Sequence, residues 1–412
     1  MIKQFCILLC LVLVTLSAYS QDLEVHEWGT FTVVQNDKGE TLVGVNTDDE
    51  PIPYFVHKRY FGINPLNSIV PSGYSKGLPR YLNSKMKVRL ETPVVYFYPK
   101  ENLLNTKIDF QAEFINGIIS EVYPNVSNVV DINIKNEKEL SRALWKSIDF
   151  SIKKPFPVTN NSVWLEPRKT KSTPIQIGEE AEQYIFYRGL GAMDIPLHVT
   201  SNRASKKIEI YSEEKEPSAS GSSYKIGKLW YVNVDANKKI QFKSLKGFGV
   251  EGPARMKKLE FSSQFAEGEK ADDSIALFSS MKEALMEQGL FADEAEAMLK
   301  TWSQAYFKQT GSRIFFMVPR IWVDRNLPIK VSVDSKIERA MIGRIEIISD
   351  EQNGILQEIR NAKIAPTDIN NQQLFKNYDL LGRFRDAIVN DSNKESTNPN
   401  LSIILRRLLV IK

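Results

Sequence analysis

The chain has 412 residues and a formal net charge of only +4, so neither nucleic acid nor an anionic membrane has an electrostatic claim on it. Its two cysteines, Cys6 and Cys10, both fall in the first twenty residues. Everything downstream is therefore without a disulfide framework, a thiolate metal site or a catalytic cysteine.

The opening "MIKQFCILLCLVLVTLSAYS" carries Lys3, an uncharged run from Phe5 to Leu16, and the small residues Ala18 and Ser20. That composition predicts a secretory signal peptide over 1–20, cleaved near Ser20, and a periplasmic or secreted protein. The run is shorter than the roughly 20 apolar residues a spanning helix needs, so no membrane span is expected in the mature chain.

From 21 to 265 the pattern has mainly a period of two, with β-branched and aromatic residues between turn signals. "VHEWGTFTVV", "KVRLETPVVYFY", "IDFQAEFI", "YIFYRG", "KKIEIYS", "GKLWYVNV" and "KKIQFKSL" read as strands. "NDKG" at Asn36 to Gly39 reads as a turn that folds the opening strand back. Glu137 to Ile148, "EKELSRALWKSI", reads as a helix, and Ser212 to Tyr224 as a loop.

After Ala266 to Asp273 the period becomes helical. Phe291, Ala295, Met298, Leu299, Trp302, Ala305 and Tyr306 form one stripe, and Gly289 separates it from a helix over Ser274 to Gln288. Strands return in "SRIFFMVPRIWV", "LPIKVSV" and "RAMIGRIEIIS", followed by helices near Glu351 to Lys363 and Gln372 to Val389. The fold class expected is α+β, an antiparallel β-rich body, sandwich or distorted barrel, with an inserted helical hairpin and C-terminal helices. Region 266–412 forms one composite domain with 21–265 if its strands join the first sheet.

Histidine is scarce, with only His26, His57 and His198. His26 and His57 flank the acidic "NTDDEPIP", and with Asp48 and Asp49 they make a chemically sensible ligand set for zinc or calcium. Neither HExxH nor a DxDxDG loop is present. On a regular strand adjacent side chains face apart, so His26, Trp28, Thr30 and Thr32 share one face and Glu27, Gly29, Phe31 and Val33 the other. Glu27 then lies on an apolar face and needs an arginine, a metal or a cleft.

Arg89 and Glu91 in "VRLETP" share a face at i,i+2. They form either a structural ion pair or an arginine-tuned general acid. Glu27 and Glu91 are thus the candidate catalytic carboxylates. "YRGLGAMD" lacks the full GxGxxG phosphate fingerprint, and GxSxG does not occur.

In this order, "VHEWGTFT", "NTDDEPIPYFVH", "RLETPVVYFY", "EQYIFYRGLG", "AEAMLKTWSQAYF" and "RIFFMVPRIWVDRNLPIKV" resemble a group of exported bacterial proteins of uncharacterised function. The resemblance covers about Val25 to Ile348 and implies one recurrent architecture for the strand-rich half and the hairpin. It implies no activity and no catalytic residue.

Two functions are compatible with these features. One is a cell-envelope or extracellular protein binding a glycan, peptide or protein partner without catalysis, with Trp164, Trp230, Tyr231 and Trp302 as stacking material. The other is a metal-assisted or carboxylate-dependent hydrolase of an extracellular polymer, using His26, Glu27, Asp48, Asp49 and His57.

Overall fold

The opening strand Leu23–Gln35 runs through the middle of a nine-stranded sheet. It pairs parallel with Ser335–Ile347 on one side and antiparallel with Val88–Pro99 on the other. The computed structural model describes residues 21–45, 52–58, 86–134, 138–212, 225–249, 258–265, 273–361 and 372–394. Across the sheet the order is Ile240–Gly249, Lys225–Val234, Gly311–Met317, Ser335–Ile347, Leu23–Gln35, Val88–Pro99, Ile185–Gly191, Gly117–Tyr123 and His57–Lys58.

The fold is α+β, a large mixed sheet with smaller antiparallel sheets and several helices. The parallel pair makes the sheet mixed, a feature that alternation along one strand does not reveal. Strands from both ends of the described chain meet there, so the region beyond residue 273 contributes to the same sheet as the opening strand.

Both faces of Leu23–Gln35 are covered, which is why almost every residue in it is buried. Val25, Phe31 and Val33 share a core with Phe110, Ala112 and Trp145 from the sheets on one side. Trp28 shares another with Leu277, Met281, Met298 and Leu299 of the helical hairpin. Val34 meets a third core, formed with Leu356, Tyr378 and Phe384 of the C-terminal helices. Each such side chain contributes roughly 1.5–3 kcal/mol on burial.

The hairpin is Ser274–Glu287 and Ala292–Thr301, turning at Gly289 with φ +100°. At the other turn, the Asn36 side-chain oxygen accepts from the amides of Lys38 and Glu40. Gly39 takes φ +80° there, and Leu42 then bonds back to Val34.

Three expectations are corrected. Lys138–Ile148 is a strand between Ile108–Ile115 and Asn128–Ile134, not a helix. Its buried Ser141, Ala143 and Trp145 alternate, and sheet pairing outweighs the helix propensity of "EKELSRALWK". "RIWV" leaves the strand at Pro319 and forms the helix Arg320–Asn326. The last helix is split, into Gln372–Leu380 and Arg385–Lys394, by a turn at Gly382 with φ +79°. The loop expected over Ser212 to Tyr224 lies, after Ser212, outside the described residues, as does 400–410. Among the described residues no helix is long and apolar enough to cross a membrane.

Candidate functional site

Glu27 is 1% exposed on the apolar face where alternation places it. Its register partner across the parallel pair is Arg339, whose Nε donates to Oε2 at 2.5 Å. The Tyr187 hydroxyl donates to Oε1. Burial, with the Glu27 charge beside it, pushes the Tyr187 hydroxyl well above its ordinary range and keeps it a donor.

Arg339 continues to Asp324 Oδ1 at 2.9 Å and to the Leu327 carbonyl at 2.7 Å. Asp324 also takes both its oxygens to Arg320 Nε, at 2.9 and 2.8 Å. Glu27 is therefore the buried end of an ion-pair chain tying two strands to the helix Arg320–Asn326. Both its oxygens are occupied, by Tyr187 and Arg339.

His26 lies on the opposite face, as expected, beneath the hairpin. Its Nδ1 is 2.7 Å from Glu294 Oε2, and its Nε2 stands 3.1 Å from Glu24 Oε1. Glu294 also accepts from the Tyr98 hydroxyl and from the Phe291 amide, each at 2.7 Å. Burial alone would lower the imidazole pKa, but Glu294 and Glu24 outweigh it and raise His26 above its usual value. His26 ties the sheet to the hairpin.

His57 sits on the far edge strand, its Nε2 2.7 Å from Glu180 Oε1 and its ring stacked on Tyr123. Three strands separate it from the opening strand, a gap of about 19 Å at ~4.8 Å per strand. The structure does not bring His26 and His57 together as ligands of one metal. Asp48 and Asp49 lie outside the described residues, and among the described residues no group of three or more His, Cys, Asp or Glu side chains could hold a metal ion.

Glu91 is 1% exposed and forms the ion pair expected with Arg89, Nε to Oε1 at 2.9 Å. Arg383 of the C-terminal segment donates to the same oxygen at 2.5 Å. This carboxylate belongs to a polar band on the helix-facing side of the sheet. Thr32 stands in register with Arg89 on one neighbour and Arg344 on the other. On Arg344 the motif repeats, since Nε bonds Glu346 two residues on.

Glu346 also pairs with Arg313 Nε at 3.0 Å. Arg313, Arg344 and Arg89 are all 0% exposed. The band fills the seam between the hairpin core at Trp28 and the C-terminal helical core at Val34. Neither helical layer could cover these side chains with apolar groups without stranding charge.

A cavity of about 670 Å³ opens at this seam. Gln309, Thr310, Ser312, Glu346 and Arg383 line it, as do Arg203, Lys206 and Asp350. Asp350 is answered by Arg203 at 3.2 Å and Lys206 at 3.0 Å. A smaller groove of about 310 Å³ shares Gln309, Gly382 and Arg383 with it.

The sequence reading missed Arg313, Arg344, Glu346, Gln309 and Arg383. One signal was available, because "GRIEI" repeats the strand-spaced Arg-x-Glu of "VRLET". The convergence with Gln309 and Arg383 is tertiary and left no local trace. The aromatic side chains proposed as stacking material are buried: Trp164, Trp230, Tyr231 and Trp302 are each at most 3% exposed.

No family model and no curated protein matches the chain. Among solved structures it is similar to the Fcho1 Mu homology domain of Danio rerio with bound Eps15 peptide. The identity is 6% and the TM-score 0.27, over 79% of this chain and 95% of that one. A likeness of that size carries nothing about what this chain does.

Proposed function

We propose that this chain is an exported cell-envelope or extracellular protein that holds a peptide or protein partner in the seam cavity without catalysis. The observation that carries this reading is the cavity itself, a recess of about 670 Å³ between sheet and C-terminal helices with a mixed polar and apolar lining. That volume suits a few ligand residues. Glu27, Glu91 and His26, the side chains best suited to chemistry, are engaged in buried ion pairs.

A glycan is the weaker occupant, because Trp164, Trp230 and Trp302 are packed inside the cores and the two aromatic side chains on the lining, Tyr231 and Phe384, are nearly buried. The polar groups of the lining suit the alternating amides of a peptide instead. Membership of the exported group that the "HEWGTFT" and "TDDEP" stretches resemble belongs to the same proposal, as does cleavage near Ser20.

The test is retention of peptides from a random library by the immobilised mature chain, with recovered material analysed by mass spectrometry. Peptides recovered at unchanged mass, and lost when the cavity is blocked by Asn202→Trp or Thr310→Trp, support the reading. Retention that survives both blocks, or recovery of shortened peptides, would overturn it.

A further inference from the structure

Resting on that reading of the cavity, we propose that the partner is acidic: a carboxylate of the bound peptide lodges against Gln309 and Arg383, in front of the buried Arg313–Arg344 pair. The reason is an imbalance of charge. Arg313 and Arg344 are both fully buried, and the carboxylate placed between them, Glu346, is a single negative charge against two positive ones.

Their remaining hydrogen bonds go to neutral oxygens. Arg344 Nη2 donates to Gln309 Oε1 at 2.6 Å, and Arg313 donates to the carbonyls of Tyr306 and Thr310 at 3.3 and 3.2 Å. Arg344 Nη1 is buried with no hydrogen-bond partner, although a guanidinium donor left unmatched is costly. The Tyr306 ring lies 5.9 Å from the Arg344 guanidinium carbon and supplies only its π face.

The strain of the arrangement is visible in Arg313, whose pKa burial and neighbouring Arg344 push down to about 10 in spite of Glu346. It stays protonated near neutrality, so the excess charge persists. The cavity meets this group through Gln309, Thr310, Ser312 and Glu346, which line it. Arg383 also lines the cavity, its Nη2 bonded to Glu91 behind it.

Arg203 and Lys206 are matched by Asp350, and Lys238 donates to Thr310 Oγ1 at 2.7 Å. The acids Asp235 and Glu351 also line the cavity. They oppose an anion beside them and favour its placement towards Gln309 and Arg383. An excess of buried positive charge directly behind the Gln309 lining favours an anionic group there, and a carboxylate oxygen also accepts from the Gln309 amide.

The experiment is titration at constant ionic strength with three probes: N-acetylglutamate α-amide, N-acetylglutamine free acid and neutral N-acetylglutamine amide. The first carries only a side-chain carboxylate and the second only a C-terminal one, so the pair distinguishes the two sources. For fragments of this size saturation is expected on the order of 1 mM, with the neutral amide at least tenfold weaker.

Gln309→Glu keeps the shape and the bond to Arg344 but supplies the missing negative charge, and should abolish binding without loss of fold. Glu346→Gln removes the existing charge and should tighten binding several-fold. A merely structural network gives no such opposite pair. Equal affinity for the three probes, or Gln309→Glu binding as tightly as wild type, would overturn the inference. If library peptides are still retained in the cavity with no acidic enrichment, the acidic preference alone fails. If nothing is retained, the binding reading fails with it.

Discussion

Glu27 and Arg339 face each other in register across the parallel centre of the sheet, 2.5 Å apart and both nearly inaccessible. Removing one member of such a pair leaves an uncompensated buried charge, at a cost of about 3–5 kcal/mol. Arg339→Met should lose stability in that range by denaturant unfolding. Glu27→Met with Arg339→Met should lose clearly less than the single variant, because no charge is stranded. Additive losses would show that the two side chains do not act as a pair.

The His26 tie predicts a pH dependence with a definite sign. Its folded pKa is raised above the ordinary imidazole value of 6.5, so its contribution is fully present below 6.5 and is lost as pH rises through the folded value. Glu24 is shifted the other way, lowered from 4.5 by Lys336 and His26 against the opposing effect of burial. Its contribution is present above 4.5 and fades as pH falls through the folded value. Denaturation midpoints should therefore decline from pH 6 to pH 9, and His26→Gln should flatten that decline.

The "YRGLG" glycines are needed for close approach. A Cβ at Gly189 would fall 1.8 Å from the Ile118 carbonyl oxygen, where the pairing of Ile185–Gly191 with Gly117–Tyr123 shifts register. Gly189→Ala should cost about 3 kcal/mol or more, because backbone itself must move. At Gly227 a Cβ meets nothing within 4 Å, so Gly227→Ala should stay within about 0.5 kcal/mol. Thermal melts of the two variants check the contrast.

His57 and Glu180 are partly exposed, at 36% and 28% for their side chains. Solvent screening limits such a pair to about 1 kcal/mol or less. His57→Ala should therefore barely move the denaturation midpoint, well below the cost of Arg339→Met.

Local patterning carried much of the architecture. The two faces of "VHEWGTFTVV" separate as alternation requires, and Glu27 needed a partner because its face continues into Phe31 and Val33. The Arg89–Glu91 pair was legible because i,i+2 spacing alone brings the side chains together. What supplies the partners was not legible. Arg339 reaches Glu27 only through a parallel pairing of segments about three hundred residues apart, and the same distance hides Glu294 from His26.

The seam cavity was invisible for the same reason. Gln309 follows the hairpin, Glu346 ends a strand, and Arg383 occupies a turn in the C-terminal helices. Where helix propensity and sheet pairing conflict, as over Lys138–Ile148, the burial of Trp145 against the neighbouring strand decides the outcome.

Hydrogen exchange with and without saturating N-acetylglutamate α-amide tests the central claim most directly, because it reports where the ligand sits. Protection should concentrate in 309–313, 344–352 and 382–384, the segments that form the seam cavity. Protection confined to 24–27 and 291–294 around His26, or spread evenly over the sheet, would contradict it.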